Sequence, residues 1–561
     1  MARRIQRPAG GRISDEVLTA AFIFAVALGL RVAYFLSIHH AAFFDQLQTN
    51  AARYHQWATL ILNGPRAPQP PFDQPPGYPY FVAAVYAIFG RHVAAVALVQ
   101  AVLDALSCLF IAYAARQWFG RRAGIIAGVL AAAYGPLIYF TGEMLPPTLF
   151  ICVATAAMAA ALRTPPAWVV ASGLWALALV IRSEIALAFP LIVLDAWNRG
   201  ERPGLWRTAA PLALVMCGFL AINAAHSPEL VVLTTGDGLN LWLGNNPHAD
   251  GVNPFVSGPL QAVAEGIRAK AVDGADADRM FRARAVDFWR DEPGKALRLL
   301  WKKFVWTWTN RELPNTSDID WQTAHSWVFR LPFFPLRFGM ILPLAAVGAA
   351  LFRNQWRRLS LLISLVVIGV GTSVVFFTNA RFRLIMTPAL VLLAAAALDQ
   401  LPRMLRAWHD NLGTIALAVA ATAVGAVGAW GNFYDVRSYR ISEIAVNTGI
   451  LEREGGELQA AVEHLRQGLA DNPHDSIGWI HLALALEQQG HIDQALRDYL
   501  DALALMPDDT LLRQMAARFF ERHRIDASNL TNYLTAPDQK ARNTVAEQLR
   551  NALKHSPGNA E

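Results

Sequence analysis

Residues 92–117 read HVAAVALVQAVLDALSCLFIAYAARQ, and Arg121 and Arg122 follow within five residues. Apart from Asp104 and the terminal Arg116, the run is nearly uncharged, and it exceeds the about 20 apolar residues that a helix needs to cross a bilayer. It reads as a membrane span that ends in a short basic loop. Ten further runs share its character, near 16–38, 123–141, 145–163, 166–182, 184–198, 208–226, 334–352, 358–378, 384–400 and 413–431. The composition agrees with this pattern: 54% of the 561 residues are hydrophobic and only 16% charged, against roughly 25% charged in a soluble domain. These features exclude a disordered chain, a secreted disulfide scaffold and a cytosolic enzyme on a short anchor. The expectation is an all-α polytopic membrane protein of about eleven spans. The first run is too long for a cleaved signal peptide and has no small-residue cleavage site after it.

Charge sets the orientation. Arg3, Arg4 and Arg7 precede span one, and Arg121 and Arg122 separate spans two and three. Arg199, Arg202 and Arg207, then Arg353, Arg357 and Arg358, then Arg403 and Arg406, fall on the same side by alternation. Basic loops mark the cytoplasm. Residues 1–15 are then cytoplasmic, 16–431 form the membrane domain, and two external loops, about 39–91 and 227–333, lie on the other side. The longer loop is expected to hold a small ordered domain of mixed α and β structure. From Asn432 onward the chain carries 19 acidic and 13 basic residues, a net of −6, and the part before it carries +12. The basic residues are scattered between apolar runs, which is no nucleic-acid footprint. Cys108, Cys152 and Cys217 sit inside apolar runs and read as small buried hydrophobes.

Residues 432–561 form a third external region with an internal repeat. Gly456, Ala461 and Pro473 recur 34 residues later as Gly490, Ala495 and Pro507, with Trp479, Leu482, Tyr499 and Ala502 between them. This spacing is that of the tetratricopeptide repeat, a helical hairpin with glycine at the turn and alanine at the crossing. Two repeats are visible, with a helical extension over 510–555 to cap them. Such an α-solenoid offers a surface for a protein partner.

A transporter would show mid-span charges or broken helices in paired halves. Here Arg31 and Asp104 are the main mid-span ionisable residues, and polar residues concentrate in the external loops instead. In the first loop, Phe44-Asp45-Gln46-Leu47, Asn50-Ala51, Tyr54-His55-Gln56-Trp57-Ala58 and Gln74-Pro75-Pro76-Gly77-Tyr78-Pro79 follow one another. Tyr134-Gly135-Pro136 with Thr141-Gly142-Glu143-Met144, Gly244-Asn245-Asn246-Pro247 and Arg381-Phe382-Arg383 come later. In order and side, these motifs resemble the GT-C fold, lipid-linked-sugar glycosyltransferases of the protein mannosyltransferase and aminoarabinose transferase type (glycosyltransferase family 39), over roughly residues 15–430.

The resemblance implies a polyprenyl-phosphate-linked sugar as donor and an envelope protein, lipid A or another glycan as acceptor, at the outer face of the inner membrane. It also implies that an external carboxylate deprotonates the acceptor. The family's aspartate falls on Asn50, in Asn50-Ala51-Ala52-Arg53-Tyr54, and an amide accepts no proton at neutral pH. Asp45 and then Asp73 are the replacements in the same loop, with a base elsewhere in the chain or a catalytically silent chain as the alternatives. Asn50, Tyr54, His55, Glu143, Asn245, Asn246, Arg381 and Arg383 are the substrate-binding candidates. The two arginines would meet the leaving phosphate, against a plain interfacial role for long cationic side chains. Glu143 either shapes the acceptor site or holds a divalent metal with His55 or His248; its alternative is an ordinary acid at a helix start. No His, Asp or Glu spacing by itself defines a metal site. Gly236-Asp237-Gly238 and Gly244-Asn245-Asn246-Pro247 read first as turns, with a donor or acceptor contact as the sharper alternative. Trp301, Trp306, Trp308 and Trp321 mark the return of the long loop to the membrane surface.

Overall fold

A computed structural model describes residues 10–64, 69–198, 205–314, 316–332, 334–406, 409–526, 528–536 and 539–554. Arg3, Arg4, Arg7, Arg199 and Arg202, and the Pro65 end of the first loop, lie outside the described residues. Among the described residues the regular elements are all helices, and the one β-type contact is an isolated bridge between Tyr134 and Leu336. The long loop is therefore helical, with helices at Asp237–Gly244, Pro259–Lys270, Gly274–Asp291, Pro293–Thr307 and Ile319–Ala324, which corrects the expected mixed α and β domain. Its apolar residues recur at helical spacing, and the glycines lie mainly at helix ends rather than in hairpins.

The chain is a multi-pass membrane protein. Five helices are long and apolar enough to span: Asp15–Ile38, Val93–Phe119, Ala209–His226, Ala380–Arg406 and Leu412–Trp430. Shorter apolar helices at Pro147–Ala161, Trp168–Ile181, Phe338–Leu351 and Ser360–Val375 fall on four more of the expected spans, and Gly77–Phe89 adds an apolar helix within the first loop. Two expected spans are broken. The run 123–141 divides at Tyr134, where Gly135-Pro136 interrupts the backbone ladder. The freed groups pair with the bridge strand, Gly135 N to Leu336 O at 2.8 Å and Leu336 N to Ala133 O at 2.8 Å. The run 184–198 opens as a 3-10 turn, Ser183–Ala188, before Phe189–Asn198.

The chain divides into two compact units. In the first, Val93–Phe119 packs on Gly10–Ile38, Arg121–Ala133 and Pro147–Ala161. The Arg31 guanidinium donates to Asp104 at 2.6 Å and to the Ala131 carbonyl at 3.2 Å, all within the buried interior. That buried pair fixes one register between the first helix and its neighbour. On the other side Thr387–Arg406 packs against Arg121–Ala133 and Phe338–Leu351. Its run Ala394-Ala395-Ala396 is fully buried, so small side chains let the backbones approach.

One end of this unit gathers the basic loops. Arg116 pairs with Glu16 at 2.7 Å, Arg121 lies 3.9 Å from Asp15, Arg122 lies 3.7 Å from Asp399, and Arg358 donates to the Trp118 carbonyl at 2.9 Å. Helix Ser360–Val375 leaves that end and, at 1.5 Å per residue, delivers Phe376 about 24 Å away. The first loop, the long loop and the start of the late helix converge there.

The second unit comprises 439–561 with the short stretches 41–46 and 257–261. Helices Ser442–Glu454, Leu458–Asp471, Ser476–Gln488, Ile492–Leu505 and Thr510–Arg522 alternate as hairpins, and Ser528–Thr535 and Gln539–Lys554 follow. The repeat recurs in atomic detail. Gly456 and Gly490 turn at φ +84° and +82°, a backbone region that other residues rarely adopt. Asp475 and Asp509, 34 residues apart, each cap a helix by accepting from the backbone N–H three residues on, at 3.0 and 2.9 Å. Ala461, Ala495, Tyr499, Ala502, Phe519 and Leu549 are fully buried in its core.

A candidate phosphosugar cavity at the external end

A cavity of about 370 Å³ opens where these segments meet, at the end remote from the basic loops. The first loop contributes Arg53, Tyr54, Asp73 and Gln74, and the break between two apolar helices contributes Arg182 and Glu184. The start of the long loop adds Thr234, Gly236, Asp237 and Asn240, and the late helix adds Arg381 and Phe382.

Its cations are of two kinds. Arg182 holds Glu184 at 2.9 Å, donates to the Arg381 carbonyl at 3.2 Å and lies 5.5 Å from the Phe150 and Phe382 ring centres. Arg53 pairs with Asp73. Arg381 forms no ion pair among the described residues, and its buried Nε has no hydrogen-bond partner. Arg383, two residues on, is turned elsewhere: it pairs with Glu312 at 2.5 Å, donates to the carbonyls of Thr309 and Arg311, and covers the Phe338 ring at 4.5 Å. Of the two arginines that the sequence nominates for an anion, Arg381 alone lines the cavity.

The other candidates scatter. Asp73 lines the cavity, engaged by Arg53. Asp45 is exposed at the end of the helical turn Ala42–Asp45, which belongs to the second unit. The next helix starts only at Thr49, so 45–50 is not one helix. Asn50 Oδ1 accepts from Gln74 Nε2 at 3.2 Å, and Gln74 Oε1 accepts from the Tyr54 hydroxyl at 2.5 Å. An amide thus stands at the far end of a chain of hydrogen bonds that reaches the cavity wall at Tyr54. Burial raises the Tyr54 hydroxyl, opposed by Arg381 and Arg182, so it remains a donor.

His55 shares a hydrogen bond of 2.7 Å with the Tyr86 hydroxyl and does not line the cavity. Burial pushes Glu143 up to about 7, opposed by hydrogen bonds with Tyr139 and Gln322. His248 is exposed in the long loop. Among the described residues no three His, Cys, Asp or Glu side chains gather as metal ligands, and the phenol and amide around Glu143 do not make a donor set for one. Asn245 and Asn246 are turn-forming and buried. Asn245 donates to the Leu241 and Val375 carbonyls at 2.7 Å and accepts from Lys303 Nζ at 3.1 Å; Asn246 accepts from His248 N at 2.8 Å. They fasten the long loop to the end of Ser360–Val375.

Arg182 and Glu184 are not among the sequence candidates, and Asp237 reads first as part of a turn. The signal for the first two is Arg182-Ser183-Glu184, a charged triplet between two apolar runs. Asp237 is marked by its two flanking glycines.

Residues 73–227 match the model of the family described as dolichyl-phosphate-mannose-protein mannosyltransferase, and 476–509 match the tetratricopeptide repeat. The membrane unit therefore carries a segment similar to that mannosyltransferase family over less than a third of the chain, and the tail carries a tetratricopeptide repeat. No curated protein matches this chain. Among solved structures it is similar to the archaeal oligosaccharyltransferase AglB from Archaeoglobus fulgidus in complex with an inhibitory peptide and a dolichol-phosphate, at 14% identity and a TM-score of 0.37. The apo form of the Archaeoglobus fulgidus oligosaccharyltransferase gives 14% identity and a TM-score of 0.41. In both, the match covers 78% of this chain and 59% of the other. Likeness at this level transfers no residue role.

Proposed function

We propose that this protein transfers a sugar from a polyprenyl-phosphate donor to an envelope acceptor (protein, lipid A or another glycan) at the outer face of the inner membrane. On this reading the arginine-lined end faces the cytoplasm, and the cavity and the tetratricopeptide unit are periplasmic. The observation that carries the proposal is Arg381: a guanidinium on the cavity wall, at the end remote from the basic loops, with no carboxylate of its own. In the reaction the acceptor oxygen attacks the anomeric carbon, the bond from that carbon to phosphate breaks, and negative charge grows on the departing lipid phosphate. A preoriented cation meets that charge without reorganisation. Arg182, held by Glu184, keeps Arg381 in place through its backbone carbonyl.

The amide at Asn50 favours a second reading, a silent scaffold whose repeats recruit partners. Purified protein in vesicles with a radiolabelled polyprenyl-phosphate sugar and envelope acceptor separates these readings. Transfer consumes the donor and labels the acceptor. A flippase would move the lipid across the bilayer unconsumed, and a scaffold would leave it untouched. Comparative glycan mass spectrometry of wild-type and deletion envelopes then names the sugar and the acceptor.

A further inference from the structure

Four carboxylates line the cavity, and three are engaged by arginine. Asp73 is held by Arg53, Glu184 by Arg182 at 2.9 Å, and Asp278 by Arg282 at 2.7 Å. Asp237 has no ion pair among the described residues; its Oδ2 accepts only from the Thr234 hydroxyl, at 3.3 Å. We propose that Asp237 is the general base of the transfer reaction, taking the acceptor's proton in this cavity in place of the carboxylate missing at Asn50. This rests on the transferase reading above.

The surrounding backbone is built to hold that one side chain still. A Cβ at residue 236 would stand 2.4 Å from the Asp73 carbonyl oxygen, and one at 238 would stand 2.1 Å from that of Asp278. Only glycine fits on either side. Thr235 N donates to the Phe72 carbonyl at 2.9 Å, and Gly238 N donates to Asp278 Oδ1 at 2.5 Å. The turn is thereby clamped between the first loop and helix Gly274–Asp291, and Asp237 opens helix Asp237–Gly244 from a fixed position. Burial first, then the neighbouring Glu184 and Asp278, push the Asp237 carboxyl up to about 7, against Thr234 and Arg282. A base poised near the working pH is the efficient one. Arg53, Arg182, Arg268 and Arg381 are the other charged groups on the wall.

The step balances as one displacement. The acceptor O–H bond breaks with its proton passing to an Asp237 oxygen, and the acceptor oxygen bonds to the anomeric carbon. The bond from that carbon to phosphate breaks, and its electron pair leaves on the polyprenyl phosphate.

The test is the vesicle assay with full-length protein, run from about pH 5 to about pH 9, with donor binding measured by co-purification of the labelled lipid. Wild type should gain rate as pH rises through about 7, since the base must be unprotonated. Asp237→Asn should lower transfer by about 10²–10⁴ and lose that rise, with donor binding retained. Asp237→Glu, which keeps a carboxylate on a longer arm, should recover part of the rate together with the rise. Asp45→Asn and Asp73→Asn should keep the rise. An Asp237→Asn rate within a few-fold of wild type overturns the proposal, as does a rise abolished by Asp45→Asn or Asp73→Asn instead. If Asp237→Asn fails to insert, Asp237→Glu decides: an unshifted pH limb overturns it and a shifted one supports it. A wild-type protein that transfers nothing overturns the transferase reading itself, a result distinct from an active wild type with an active Asp237→Asn.

Discussion

Arg381 and Arg383 share one turn of helix, yet one faces an open cavity and the other a half-buried glutamate. Arg381→Ala should therefore slow transfer by about 10²–10³, the scale of losing one charge-stabilising group, while thermal stability stays near wild type. Arg383→Ala leaves the half-buried Glu312 without its cation, and should cost about 1–3 kcal/mol of stability. Rate and melting temperature measured on both variants check the division; a stable, slow Arg383→Ala would reverse it. Glu143 makes a second residue-scale case. Its carboxyl titrates at the ordinary 4.5 when unfolded and at about 7 when folded, so the folded state binds the proton more tightly. Stability should then fall as pH rises from about 4.5 through about 7, and Glu143→Gln should flatten that fall. Asp237 contributes to the same window, so Glu143→Gln will not abolish the slope, and an unchanged slope in melting temperature would refute the Glu143 part. The sequence shows the basic pair and the acid at a helix start. It does not show that Glu312, 71 residues before Arg383, claims one arginine of the pair, because that choice is made by tertiary contact.

At the scale of elements, helix Pro293–Thr307 shows what periodicity carries and what it omits. Leu297, Trp301 and Phe304 recur at helical spacing and are 69%, 57% and 36% exposed, a continuous apolar stripe outside the protein core. On the opposite face Trp306 is buried and donates to the Phe433 carbonyl at 2.8 Å. Lys303 is buried too, with Nζ donating to the Val374 and Phe376 carbonyls at 3.1 and 2.7 Å. The tryptophan series is visible in the sequence as a cluster; its division into an exposed and an anchoring member follows from the angle each side chain takes around the helix. An exposed stripe flanked by Arg298 and Lys302 suits the bilayer surface. A nitroxide placed by Trp301→Cys, in a background with the native cysteines replaced, should be more accessible to dissolved oxygen than to an aqueous nickel chelate. The reverse order would remove this helix from the membrane surface. The interrupted helix at Tyr134 was legible in Gly135-Pro136, but the apolar run across it reads as continuous, since hydropathy does not register backbone hydrogen bonds.

At the scale of the molecule, the eleven apolar runs and the 34-residue repeat were legible because both are periodic, and the repeat returns even in its caps at Asp475 and Asp509. The cavity was only partly legible: it draws Tyr54, Arg182, Asp237 and Arg381 from four distant segments, and its composition exists only after folding. The assignment of 41–46 to the second unit was not legible at all. Phe43 and Phe44 are 8% and 4% exposed, and a Cβ at Gly455 would stand 3.4 Å from Ala42, so the turn that carries Asp45 packs with the repeat helices. This sets up a test of the two units. Every residue that lines the cavity belongs to the first, so deletion of residues 440–561 should leave binding of the labelled polyprenyl-phosphate sugar within a few-fold of wild type. The same deletion removes helix Ser442–Glu454, on which the turn Ala42–Asp45 packs, and frees the segment around Asp45. With Asp237 as base, residual transfer to a small soluble acceptor should keep its rise through about pH 7, while transfer to the native acceptor falls if the repeats recruit it. Loss of donor binding in a correctly inserted truncation would show that the cavity is not complete within the first unit. Donor binding with loss of the pH-dependent rise would return the base to Asp45.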